Sequence, residues 1–147
     1  MGDKAMAGFQ VWHVWCDQDG ISHQTKRWID SFTQTIFLDG LPSIWRYQPA
    51  ATPHTVLMLT LIPGQDYEWH ENPCPQWIVP LQGRWYVETM DGVRVEMGPG
   101  EISFGADQNC RPVDGRRGHR SGAVGSEPAV IMLIQVDTDP FSEIVLT

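Results

Sequence analysis

Residues 64 to 83 read Gly64-Gln65-Asp66-Tyr67-Glu68-Trp69-His70-Glu71-Asn72-Pro73-Cys74-Pro75-Gln76-Trp77-Ile78-Val79-Pro80-Leu81-Gln82-Gly83, and the fold turns on this stretch. A glycine turn leads into an extended run with one histidine, a proline-punctuated corner follows, and a second extended run ends at glycine. Side chains alternate along a strand, so Glu68, His70 and Asn72 share one face while Trp69 and Glu71 share the other. Gln76 opens the next strand and can meet the same interior.

Working outward, the flanking sequence is a succession of short strand signals. Phe9 to Trp15 alternates with both faces apolar in part, and Asp17-Gln18-Asp19-Gly20 is a turn by composition. Ile21 to His23 is a short strand, and Thr25 to Ser31 carries neither period and reads as loop or a single helical turn. Phe32 to Leu38 and Ser43 to Tyr47 are edge strands around Asp39-Gly40. His54 to Ile62 is the strongest uninterrupted strand. Arg84 to Thr89 and Val93 to Met97 flank Met90-Asp91-Gly92, a hairpin signal. After Gly98 to Phe104 comes an irregular polar stretch, 105 to 118, and Pro128 to Val136 closes the series. Many short strands without helical periodicity predict an all-β barrel or sandwich.

The 147 residues suit one domain, 1-147, with a barrel core at about 54-136 and amino-terminal strands at about 9-47. Seven tryptophans and few charges fit a β-rich protein with a lined cavity. The formal charge of −8 argues against a nucleic-acid surface, which needs a positive field. No apolar run approaches the roughly 20 residues that cross a bilayer, so no membrane partner is expected. Cys16, Cys74 and Cys110 form no C-x-x-C pair, so neither a disulfide framework nor a zinc knuckle is signalled, and a cytoplasmic setting is expected.

Trp69-His70, Asn72-Pro73, Gln76, Leu81-x-Gly83, Gly98-Pro99-Gly100-Glu101 and Gly118-His119-Arg120-Ser121 together resemble a group of small single-domain cupins of mostly unassigned function. The resemblance spans about residues 54 to 136 and implies a double-stranded β-helix, a jelly-roll-like barrel with a pocket for a small organic molecule. Metal-binding cupins carry three histidines and a glutamate, whereas here Asn72 stands at the second histidine, Gln76 at the glutamate and Ser103 at the second motif's histidine. His119 takes that last place only if 105 to 118 is an inserted loop that returns the chain to the cavity.

Two chemistries follow from this pattern. Imidazoles titrate near neutral pH, so His70 and His119 facing one another would act as base and acid, with Glu68 orienting one ring. Gln76 and Asn72 would bind an uncharged substrate, and Trp85, Trp45 and His23 complete the substrate-binding set. Trp85 is assigned to the pocket wall; Tyr86 would take its place if the strand turned its other face inward. This set suits proton abstraction beside a carbonyl, as in a lyase, isomerase or cyclase. Alternatively, a weakly bound divalent metal (Fe, Ni, Mn or Zn) would sit on His70, His119 and Gln76, with Glu68 as a further donor and Cys74 and His23 as poorer ones, in an oxygenase or lyase. A non-catalytic binding module is the third reading. The resemblance and the tryptophan content together imply a homodimer.

Overall fold

A computed structural model describes residues 8 to 142. Twelve strands follow in order: β1 (Phe9–Cys16), β2 (Ser22–Ile29), β3 (Thr33–Thr35), β4 (Ile44–Arg46), β5 (Thr55–Leu61), β6 (Asp66–His70), β7 (Gln76–Gln82), β8 (Trp85–Thr89), β9 (Arg94–Met97), β10 (Ile102–Ala106), β11 (His119–Ala123) and β12 (Ala129–Gln135). The fold is all-β. A six-stranded mixed sheet, ordered β2-β1-β10-β7-β12-β5, faces a four-stranded antiparallel sheet, ordered β6-β11-β8-β9, in a sandwich. The β1–β10 pair is parallel.

Alternation distributes the apolar side chains over two cores. Val14, Ile78, Trp85, Val87, Ile131 and Leu133 belong to the one between the sheets. Val11, Ile29, Phe104 and Phe141 form a second core on the far side of the six-stranded sheet, with Trp77 packed against it. Trp77 therefore points away from Gln76 and Ile78, as the period of two requires. Trp85 faces the inner core, while Tyr86 lies on the opposite face under the Arg94 guanidinium, 3.7 Å from the ring centroid.

Three sequence expectations are corrected. Thr25 to Ile29 is neither loop nor helical turn: β2 pairs with β1 along its whole length, and buried Gln24 donates to the Val87 and Val93 carbonyls. Lys26 and Arg27 masked the alternation because β2 is an edge strand. The segments at 32–38 and 43–47 shrink to two three-residue strands that bond only to each other, and Ile36, Phe37 and Leu38 at the hairpin tip are exposed. Finally, Cys16 and Cys110 form a disulfide with their Cα atoms 5.8 Å apart, leaving Cys74 as the free cysteine. No spacing rule could pair residues 94 positions apart, and the bond counts against the reducing compartment inferred from cysteine usage. Among the described residues no helix is long and apolar enough to cross a membrane.

The disulfide closes a long loop and restricts the unfolded chain, which corresponds to about 3–4 kcal/mol of stability. Thiol titration of the denatured, unreduced protein should count one thiol, rising to three after reduction, and reduction should lower the melting temperature by several degrees.

Candidate functional site

A cavity of about 730 Å³ opens between the two sheets. Leu57, Leu61, Ile78, Ile131 and Leu133 make its apolar wall together with Trp85. His70, His119, Asn72, Gln76 and Gln135 make its polar pole. Among the described residues Glu68 is the only acidic side chain lining it, and no lysine or arginine does so.

The two histidines come from neighbouring strands. His70 ends β6, His119 begins β11, and the register places them opposite one another with ring centroids 4.5 Å apart. The loop from 107 to 118 returns the chain to the cavity, folding on itself through a Val113–Arg116 bridge. Gly118 makes that return possible. Its φ is 78°, and a Cβ there would lie 2.3 Å from the His70 carbonyl oxygen, so a side chain is excluded on both counts.

Each imidazole is held through Nδ1. The His70 Nδ1–H donates to the Glu68 backbone carbonyl at 2.6 Å, and the His119 Nδ1–H donates to Asp107 Oδ2 at 2.6 Å. These acceptors carry no hydrogen, so Nε2 of each neutral ring keeps its lone pair. His119 is 6% exposed and Asp107 is fully buried. The carboxylate that orients an imidazole of the cavity is therefore Asp107. Glu68 contributes its backbone oxygen to His70, and its side chain lines the cavity.

Asp107 anchors a chain of amides. Its Oδ1 accepts from the backbone N–H and from Nδ2 of Asn72, both at 2.8 Å. The Asn72 oxygen accepts from Gln76 Nε2 at 2.6 Å, and Gln76 Oε1 accepts from Gln135 Nε2 at 3.1 Å. An ionised carboxylate only accepts, so it fixes the orientation of every amide behind it. Burial opposes ionisation of Asp107, but the charge and hydrogen bond of His119 and the two bonds from Asn72 outweigh it. They hold the carboxyl below its ordinary value. Gly105 admits this packing, since a Cβ there would fall 2.3 Å from Asn72 Nδ2.

Of the residues expected at the site, His70, His119, Glu68, Asn72, Gln76 and Trp85 line the cavity. Asn72 and Gln76 are tied into the network, so their role is to set Asp107 as much as to meet a ligand. Trp45 and His23 lie elsewhere. Trp45 is in the β3–β4 hairpin opposite Gln34. His23 stacks on Trp15 and bonds to Asp17 at 2.6 Å and Asp91 at 3.0 Å, which commits both ring nitrogens away from the cavity. Asp107 and Gln135 were missed by sequence reasoning: one lies in an irregular polar stretch and the other at the end of an apolar strand. Ser103, at the position of the second-motif histidine, is buried with its hydroxyl unpartnered.

Among the described residues no three His, Cys, Asp or Glu side chains converge to hold a metal. A divalent ion on His70, His119 and Gln76 would have two imidazoles and one neutral amide already bonded to Gln135, a weak donor set.

No protein-family model and no curated protein matches the chain. Among solved structures it is similar to the crystal structure of protein NMB1881 from Neisseria meningitidis, at 17% identity and a TM-score of 0.41 over 62% of this chain and 84% of that one. A likeness this slight supports no conclusion about fold or function.

The Asp107 network makes a pH prediction. Its folded pKa lies below the unfolded value of about 3.9, so its stabilisation is present above that pH and is lost as pH falls through the lower folded value. Asp107→Asn should cost about 3 kcal/mol at pH 7, because it breaks a buried pair. In melting curves taken from pH 7 to pH 2, the gap between wild type and variant should narrow below about pH 4. A gap independent of pH would remove the ionised carboxylate.

Proposed function

We propose that the chain is a cupin-type barrel enzyme that moves a proton next to a carbonyl in a small, uncharged, largely apolar molecule, as a lyase, isomerase or cyclase. The observation that carries this reading is the pair of imidazoles with free Nε2 lone pairs at the polar pole of an otherwise apolar cavity, one of them backed by a buried carboxylate. The facing sheets and the glycine corner preceding β10 suit a jelly-roll barrel. The lack of lysine and arginine among the described residues of the lining favours an uncharged substrate over an anionic one.

In this mechanism His119 Nε2 takes the proton from the carbon beside the carbonyl, and the Asp107 carboxylate offsets the charge of the resulting imidazolium. A protonated His70 keeps its Nδ1–H on the Glu68 carbonyl and donates Nε2–H to the substrate oxygen, stabilising the enolate. Return of the proton to a different carbon gives isomerisation, and expulsion of a group from the neighbouring carbon gives elimination. The apolar wall receives and orients the body of the substrate.

A metal-dependent reading remains in competition because two convergent imidazole lone pairs are also metal donors. Elemental analysis separates the two: near-stoichiometric iron, nickel, manganese or zinc favours the metal reading.

Proton transfer can be tested without the natural substrate. With uncharged ketones and aldehydes in D₂O, NMR should detect protein-catalysed deuterium uptake beside the carbonyl. His70→Ala and His119→Ala should each slow it about 10²-fold or more while still melting cooperatively. Undiminished exchange in both variants, or ligand-induced stabilisation by compounds that never exchange, would replace this reading with a binding module.

A further inference from the structure

The two main sheets have four edges, and three of them are defended by charge. The β2 edge carries Lys26 and Arg27, β6 carries Asp66 and Glu68, and β9 carries Arg94 and Glu96. Such charges discourage pairing with another chain. The fourth edge, β5, reads Thr-Val-Leu-Met-Leu-Thr-Leu, with no charge, proline or glycine. Its prolines, Pro53 and Pro63, lie just outside the strand. One side of β5 pairs in full register with β12, and its other side pairs with no strand among the described residues.

The side chains of β5 are also unusual for an apolar strand. Val56 and Met58 are 49% and 62% exposed, and Leu57 and Leu59, on the opposite face, are 37% and 41% exposed. Leu57 and Leu59 line the cavity, so its open side runs along this edge. Six consecutive exposed residues, Thr55 to Thr60, leave the main-chain edge and part of both faces of β5 open to an added strand.

We infer that β5 is the pairing edge of a two-fold homodimer, in which the β5 strands of two copies add antiparallel and join the six-stranded sheets into one. A pairing centred on the strand sets Met58 opposite the partner's Met58 and Leu57 beside the partner's Leu59. The same addition satisfies the free edge by main-chain hydrogen bonds and extends the apolar wall at the mouth of each cavity. The occupant is a second copy because the strand is self-complementary about its centre: Leu57, Met58 and Leu59 meet apolar residues, Val56 and Leu61 meet uncharged threonines, and no charge is left facing its like. This inference is independent of the reaction proposed above.

The test is sedimentation velocity and cross-linking on the full chain. Wild type should sediment as a dimer of the 16.6 kDa protomer at micromolar concentration. Met58→Lys, at an exposed site, should melt as wild type does and sediment as a monomer. In a Cys74→Ser background, Met58→Cys should give a covalent dimer on mild oxidation, whereas Cys74→Ser alone should not. A monomeric wild type would overturn the inference. A dimer that survives Met58→Lys and gives no cross-link at position 58 would overturn it equally, assigning association to another surface.

Discussion

The polar half of this protein depends on one carboxylate kept ionised where no water reaches it. A bare charge in such a place would protonate or unfold its surroundings. Asp107 avoids both by accepting three hydrogen bonds, two from Asn72 and one from His119. Because a carboxylate cannot donate, each bond runs one way, and that direction passes outward through Asn72 and Gln76 to Gln135. The proton on His119 Nδ1 has the same origin. What faces the cavity is therefore a lone pair on His119 and another on His70, set by acceptors that lie behind the rings.

The scaffold serves that arrangement from several sides. β6 and β11 set the two imidazoles side by side, and β7 and β12 bring Gln76 and Gln135 from the opposing sheet. The loop between β10 and β11 must deliver Asp107 and His119 together, and it is tied down at several points. The Cys16–Cys110 disulfide fastens it to β1, with both sulfurs 3.2–3.3 Å from the Asp107 carbonyl oxygen. Glu71, on the outer side of the corner, accepts from the Cys110 backbone N–H at 2.8 Å and from Arg117 at 3.0 Å. Two glycines, 105 and 118, leave the room these close approaches need. The loop is thus long and irregular yet held at both ends.

Much of the scaffold was legible in the sequence, because period-two alternation reports which face of a strand is buried. It separated Trp85 from Tyr86 and Trp77 from Ile78, and Asp91-Gly92 announced its hairpin; in β6 an irregularity in the pairing with β11 breaks the alternation, so Tyr67 lines the cavity along with Glu68 and His70. Where no period exists, the sequence was silent. Asp107 sits among polar residues that look like a solvated loop, and nothing local distinguishes a buried carboxylate from an exposed one. Glu68, carried onto the right face by alternation, drew the orienting role that belongs to Asp107. His23 shares no face with the cavity, but its neighbours Asp17 and Asp91 become neighbours only after folding. The same is true of Cys16 and Cys110. In β2, Lys26 and Arg27 obscured a strand because an edge position tolerates charge that a central one would not.

The proposed chemistry depends on the protonation state of one ring. In protein labelled with ¹⁵N-histidine, long-range ¹H–¹⁵N correlation at neutral pH should find neutral His119 protonated at Nδ1 and bare at Nε2, and Asp107→Asn should disturb that preference. A His119 that carries its proton on Nε2 in the wild-type protein, or exchanges freely between the two forms as a surface histidine does, would contradict it.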